Sequence, residues 1–158
     1  MIREVTRDDI PVCVDIIRKS FKTVAEEFGF TIDNAPRFTA FATTEERLYW
    51  QMDNEPRLMF VYEQNGVICG YYSLLMQDNN ECELNNLAVL PEYRHSGFGK
   101  RLLEHAYVTA VGAFITAVML LILEVIRKCV GIAKAKGMKL FEKFKERKGA
   151  NEADKKEN

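Results

Sequence analysis

The chain is poor in several residue types that mark common functional classes. Only two histidines and four cysteines occur in 158 residues. Cys13, Cys69, Cys82 and Cys129 are scattered without metal-ligand spacing, so no metal site is expected. Three of the four lie in apolar stretches, where a free thiol behaves as a small buried hydrophobe. Reduced thiols point to a cytoplasmic compartment. The opening residues MIREVTRDDI are charged and lack an apolar run followed by a cleavage site, so no signal peptide is expected. Strong net charge is also missing, at −1, and no nucleic-acid partner is expected. What remains, 47% hydrophobic and 28% charged positions, suffices for one domain with a real core.

The balanced total hides an asymmetry. Residues 1–107 carry 11 Lys/Arg against 17 Asp/Glu, a net of −6, and residues 108–158 carry 11 against 6, a net of +5. Such a split fits two halves that sit against each other, or a basic part with an anionic partner.

Local patterns outline the elements. Residues 2–6 read as a short strand. Thr6-x-x-Asp9 resembles a capping box with Asp in place of Glu, and Ile10, Cys13, Ile16, Ile17 and Phe21 follow at helical spacing, predicting a helix over about 8–22. Residues 28–43 are aromatic and turn-rich. Thr44 as N-cap, followed by Glu45 and Glu46, opens a second helix through Trp50 and Met52. The period then changes. Leu58–Glu63 and Val67–Met76 are β-rich runs on either side of a turn containing Asn65-Gly66, a strong hairpin signal. Asp78-Asn79-Asn80 makes a second turn and Cys82–Leu90 a third strand of a meander, stopped by Pro91. A helix follows Gly97. This order implies an α+β domain whose sheet is covered by helices.

The informative stretch is Leu87 to Leu103, where a strand runs through a short loop with glycines at 97 and 99 straight into a helix. The N–H groups of a helix's first turn have no internal partner, lie at the positive end of its dipole and bind anions such as pyrophosphate. Glycine permits positive φ and lets a ligand approach the backbone closely. Arg94, Lys100 and Arg101 add positive charge at the rim. Leu87-x-Val89, Pro91, Arg94-x-x-Gly97-x-Gly99 and Leu102-Leu103 together resemble the acetyl-CoA signature of the GNAT superfamily of N-acetyltransferases, and the preceding order of elements is similar too.

The resemblance covers about residues 1–107. It implies a mixed, mostly antiparallel sheet flanked by helices, with acetyl-CoA as cosubstrate and a primary amine of a small molecule or protein as acceptor. Main-chain groups of Leu87, Ala88 and Val89 would hydrogen-bond the pantetheine arm. The loop Arg94, His95, Ser96, Gly97, Phe98 and Gly99, with Lys100, would hold the pyrophosphate. Glu83 stands where many relatives carry a strand carboxylate, making it the candidate general base, or else a solvated strand-face residue. Asn85 and Asn86 would orient amide groups or mark a β-bulge. His95 and His105 read as surface residues, and Trp50, Tyr71 and Tyr72 as core.

Beyond Tyr107 the resemblance fails. Val108–Leu123 is a run of 16 residues without a charge, between the lengths of a core segment and of a membrane span. Met119–Val125 resembles the family's fifth strand, giving a helix from Gly99 to about Ala113 and then a strand to Val125. Alternatively, 108–148 is one helical region, with nine Lys/Arg between Arg127 and Lys148 on one face and apolar residues from Ile126 to Phe144 on the other. Such a helix fits packing on the acidic first part, or less readily a membrane surface. Phe141 falls where many relatives carry a tyrosine that protonates the leaving thiolate, and phenylalanine has no proton to give. The family's two closing strands have no counterpart in Lys145–Gly149 and Ala150–Asn158.

One acetyltransferase-like domain is expected over 1–148, with 108–148 atypical and 149–158 a disordered tail. Residues 108–125, short for a span, are expected to be covered within the domain or by a second copy and not to lie in a bilayer, hence a homodimer. The alternative function is a non-catalytic acyl-CoA-binding module or a membrane-associated variant.

Overall fold

A computed structural model describes residues 1–77 and 81–154 in backbone, and side chains up to Gly131 with Lys134 and Met138. The Asp78-Asn79-Asn80 turn, residues 155–158 and most of the expected basic face lie outside the described residues. The elements are strand β1 (Ile2–Glu4), helices α1 (Ile10–Phe28), α2 (Thr39–Ala42) and α3 (Glu45–Asn54), strands β2 (Arg57–Gln64), β3 (Val67–Met76) and β4 (Cys82–Val89), and helix α4 (Phe98–Asp154). Two compact units divide the chain, Met1–Ala113 and Phe114–Asn158.

Within the first unit the strands form one sheet in the order β1-β2-β3-β4, and every pairing is antiparallel. The α+β architecture with helices flanking an antiparallel sheet is as expected. The entry to α1 is a 3₁₀ turn, Arg7–Asp9. Here the Asp9 carboxylate accepts from the Thr6 amide at 2.8 Å and hydroxyl at 2.7 Å, and from both terminal nitrogens of Arg3 at 2.7 and 3.0 Å. The Arg3 guanidinium holds the Asp9 carboxyl well below the usual carboxylate range. Helix α1 runs about one and a half turns beyond the expected end and stops at Gly29 in a left-handed conformation, which glycine adopts without the backbone strain a side chain brings. Thr44 accepts from the Arg47 amide at 3.2 Å and caps α3 as expected. Asn65 and Gly66, at φ 51° and 78°, join Gln64 to Val67 in the two-residue hairpin their sequence predicts.

The two faces of β3 serve different helices, because neighbouring side chains point to opposite sides. Gly70 and Tyr72 face the start of α4. A Cβ on Gly70 would lie 2.8 Å from Leu102 Cδ1 and 3.3 Å from the Ala88 carbonyl, so glycine sets how closely α4 approaches the sheet. Tyr62 stacks on Phe98 at 4.5 Å between ring centroids. Phe60 packs against both Tyr72 and His105. The Tyr72 hydroxyl bonds His105 Nδ1 at 2.6 Å, and burial pushes that hydroxyl up to about 12. His105 thus belongs to the sheet–helix contact and is not the surface residue expected. Tyr71 and Ser73, fully buried, point to the opposite face. Trp50, expected in the core, is 57% exposed.

The larger correction concerns α4. The segment resembling a fifth strand, Met119–Val125, is helical, and helix extends to Asp154. Alanine, leucine and methionine are good helix formers, and an apolar run alone carries no period to separate strand from buried helix. The single helical region weighed for 108–148 is what forms, and helical backbone also covers 149–154 of the expected disordered tail. Within 108–125 no residue is fully buried, and only Thr109, Ala110, Ala113 and Phe114 are partly buried. From Ile115 to Gly131 every residue is exposed, and Leu121 is 63% exposed.

Candidate functional site

The site is built where β4 hands over to α4. On β3 one residue, Tyr72, lies between the partners of Ala88 and Asn85, whereas on β4 two residues, Asn86 and Leu87, fill the same interval. Asn86 adopts φ 53°, so β4 carries a bulge at the asparagine pair, one of the two readings its sequence allows. Among the described residues no strand pairs with the outer edge of β4.

Past the bulge, the Val89 carbonyl accepts from the Ser20 hydroxyl at 2.9 Å and from Arg94 Nε at 3.3 Å. The other Arg94 nitrogens donate to Thr23 Oγ1 at 3.0 Å and the Ser20 carbonyl at 2.9 Å. All three kinds of guanidinium nitrogen are therefore bound to protein, and Arg94 ties the loop to α1 and β4. Its charge, expected at the rim, does line the site but is hydrogen-bonded within the protein. The loop then turns through two left-handed residues, His95 at φ 61° and Gly97 at φ 79°, and Ser96 donates to the Arg94 carbonyl at 3.4 Å. Helix α4 opens at Phe98, and its first i,i+4 bond runs from the Arg101 amide to the Gly97 carbonyl at 3.1 Å. The earlier amides thus have no acceptor within the helix. Lys100 is exposed, with a long 3.8 Å contact to Glu104, an ion pair weak enough to leave its charge available. Arg101 donates to the Tyr62 hydroxyl at 2.9 Å, so it too is occupied.

These pieces enclose a cleft of about 400 Å³ lined by Leu87, Ala88, Val89, Tyr93, Arg94, His95, Gly97, Phe98, Gly99 and Lys100, and by Ser20, Phe21 and Val24 of α1. Of the ten residues expected to contact a cofactor, Ser96 alone does not line it. The α1 wall went unseen in the sequence. The helix expected over about 8–22 put Phe21 on its apolar face, but nothing local said which part of the sheet that face would meet. The lining offers amides and a cation at one end and apolar side chains along the wall, which suits an anionic head on a less polar arm.

A second cleft of about 340 Å³ lies on the other side of the bulge, lined by Glu83, Asn85 and Asn86 of β4 with Arg37, Thr39, Thr43, Arg47, Gln51, Glu55 and Arg57 among others. Arg57 is nearly buried and held by Glu55 at 2.6 Å and by Ser73 Oγ at 3.0 Å. Glu83 is exposed and accepts from Gln77 Nε2 at 3.2 Å. One bulged strand thus contributes to both clefts, with Asn86 and Leu87 adjacent across the division.

An antiparallel α+β sheet whose bulged edge strand leads through a glycine turn into a helix N-terminus is the architecture around the first cleft. Residues 24–126 match the acetyltransferase (GNAT) family, and the chain belongs to it. Among curated proteins no sequence match is found. Solved structures share the fold at low identity. One is the PaiA N-acetyltransferase of Thermoplasma acidophilum in complex with coenzyme A, 21% identical over 72% of each chain with a TM-score of 0.61. Another is a GNAT-family acetyltransferase of Staphylococcus aureus, 24% identical over 72% of this chain and 66% of that one, at a TM-score of 0.54. A third, the ribosomal-protein-S18-alanine N-acetyltransferase of Escherichia coli, is 22% identical, with 70% of this chain covering 58% of that one at a TM-score of 0.52. The chain thus spans less than two thirds of that enzyme's length.

Proposed function

We propose that the protein is an acetyl-CoA-dependent N-acetyltransferase acting on a primary amine. The observation that carries this reading is the pair of clefts to which the bulged strand β4 contributes adjacent residues, within a member of this family. In this account the pyrophosphate of acetyl-CoA lies against the first-turn amides of α4 and Lys100. The pantetheine arm runs along Leu87–Val89, and the acetyl thioester reaches the bulge. The amine enters from the second cleft.

Transfer forms a C–N bond and breaks the C–S bond of the thioester. The ammonium must lose a proton before attack, and Glu83 is the carboxylate in position to take it or to order a water that does. The departing thiolate takes up one proton, and solvent is its source in this account. Most of the acceleration then comes from holding the two reactants in line. Arg37 and Arg47, which line the same cleft as Glu83, favour an acceptor that carries a carboxylate near its amine. A reducing, cytoplasmic compartment remains our reading for the domain, supported by the four free cysteines.

The test is release of free thiol from acetyl-CoA in the presence of amines supplied in pairs, with and without a carboxylate. Amine-dependent release, greater for the carboxylate-bearing member, is expected. Saturable binding of acetyl-CoA without any amine-dependent release would instead establish a non-catalytic acyl-CoA-binding module.

A further inference from the structure

We infer that Val108–Ile126 inserts into the hydrocarbon core of a lipid bilayer and anchors the protein to it. The first observation is exposure. Val108, Val111, Ile115, Val118, Leu121 and Val125 are each between 38 and 67% exposed, and the most apolar 18-residue stretch of the helix has no buried residue. Bare apolar surface on this scale marks a site of interaction.

The second observation is its distribution around the helix. The six consecutive residues from Val118 to Leu123 are all large, apolar and exposed. At 100° per residue they cover the full circumference. A partner helix or a second copy of this chain covers a stripe and leaves the rest in water, whereas lipid covers every side.

Length and flanks agree. Nineteen residues at 1.5 Å rise give about 28 Å, against a hydrocarbon thickness of about 30 Å. The partly buried Thr109, Ala110, Ala113 and Phe114 fall in the turns nearest the headgroups, leaving every residue of Ile115–Ile126 exposed to lipid. The one charge inside the segment, Glu124, lies in its last turn, with Arg127 and Lys128 just beyond. At that depth long charged side chains reach the headgroups. Tyr107, 72% exposed, stands at the other end, as aromatic residues do at membrane interfaces. The nine Lys/Arg from Arg127 to Lys148 add attraction for anionic headgroups.

The experiment is density-gradient flotation of the full chain, synthesised in the presence of uncharged phosphatidylcholine vesicles and then washed with alkaline carbonate. The protein is expected to float with the vesicles and to remain there after the wash. A Val118→Lys/Leu121→Lys variant alters two exposed positions outside both clefts. It should lose vesicle retention by at least about tenfold, each lysine at mid-depth being strongly unfavourable, while its circular dichroism shows an unchanged helix content. Three results overturn the proposal. The first is wild-type protein left at the bottom of the gradient. The second is flotation seen only with anionic vesicles and reversed by 1 M salt, which would reduce the contact to surface attraction by the basic segment. The third is a discrete soluble oligomer recovered without lipid or detergent, which would assign the apolar helix to further copies of this chain.

Discussion

Replacing Gly99 by alanine separates the ligand's demand on this residue from the fold's demand. A Cβ there would meet only Val89 Cγ2, at 3.9 Å, an ordinary contact. Gly99 is absent from the residues with positive φ, unlike Gly97 at φ 79°. Alanine is the better helix former by up to about 1 kcal/mol, and less at a first turn. The variant should therefore melt at the parent's temperature or about 2–4 °C above it. Acetyl-CoA is another matter. A methyl group in the cleft, beside amides meant to touch phosphate oxygens, should weaken binding at least about tenfold, or about 1.4 kcal/mol. Gly97→Ala is the companion. It forces a Cβ into the left-handed region at a cost of about 1–2 kcal/mol, so stability and affinity should fall together. Melting curves and calorimetric titration with acetyl-CoA measure both quantities. A Gly99→Ala protein that binds acetyl-CoA as the parent does would refute the assignment of the phosphates to this turn.

Other consequences follow from single side chains. Glu83→Gln should lower kcat/KM by about 10²–10⁴ with acetyl-CoA affinity unchanged, and a rate within about twofold of the parent would make water or another group the base. Asp9→Asn should cost about 1–3 kcal/mol at neutral pH by disrupting the bonds from Arg3 and Thr6. Because folding depresses the Asp9 carboxyl below its ordinary 3.8, its contribution is complete above that value. It is lost as pH falls toward the folded value. The gap between parent and variant in acid unfolding should therefore hold down to about pH 5 and close below it, and a gap independent of pH would contradict the account. Tyr71 has a fully buried hydroxyl without a hydrogen-bond partner among the described residues, so Tyr71→Phe should leave chemical-denaturation stability unchanged or raise it by about 1 kcal/mol. A loss of that size would reveal a partner.

What was legible in the sequence had local causes. Thr6 with Asp9, Thr44 with its glutamates and Asn65-Gly66 each act within a few residues, so their caps and turn formed where the pattern put them. The Leu87–Leu103 motif was readable for the same reason, since strand, glycine turn and helix start are contiguous. Features set by tertiary contact were not. Nothing around Arg94 announces that its nitrogens reach Ser20 and Thr23, more than seventy positions earlier in the chain. The α1 wall of the cleft and the Tyr72–His105 bond were hidden likewise. That Met119–Val125 could be read as strand as well as helix has another origin. A stretch apolar on every side shows neither a two-residue nor a 3.6-residue period, and its likeness to Leu-x-Leu-Glu-Val concealed a helix that carries its own backbone hydrogen bonds.

Hydrogen exchange with and without saturating acetyl-CoA tests the central claim most directly. The amides of Phe98, Gly99 and Lys100 lack acceptors within their own helix and are expected to exchange faster in the free protein than those further along α4. Bound phosphate oxygens should slow them at least about tenfold, with smaller protection along Leu87–Val89. Unchanged exchange at these three amides in the presence of saturating acetyl-CoA would contradict the proposal that this turn is where the cosubstrate sits.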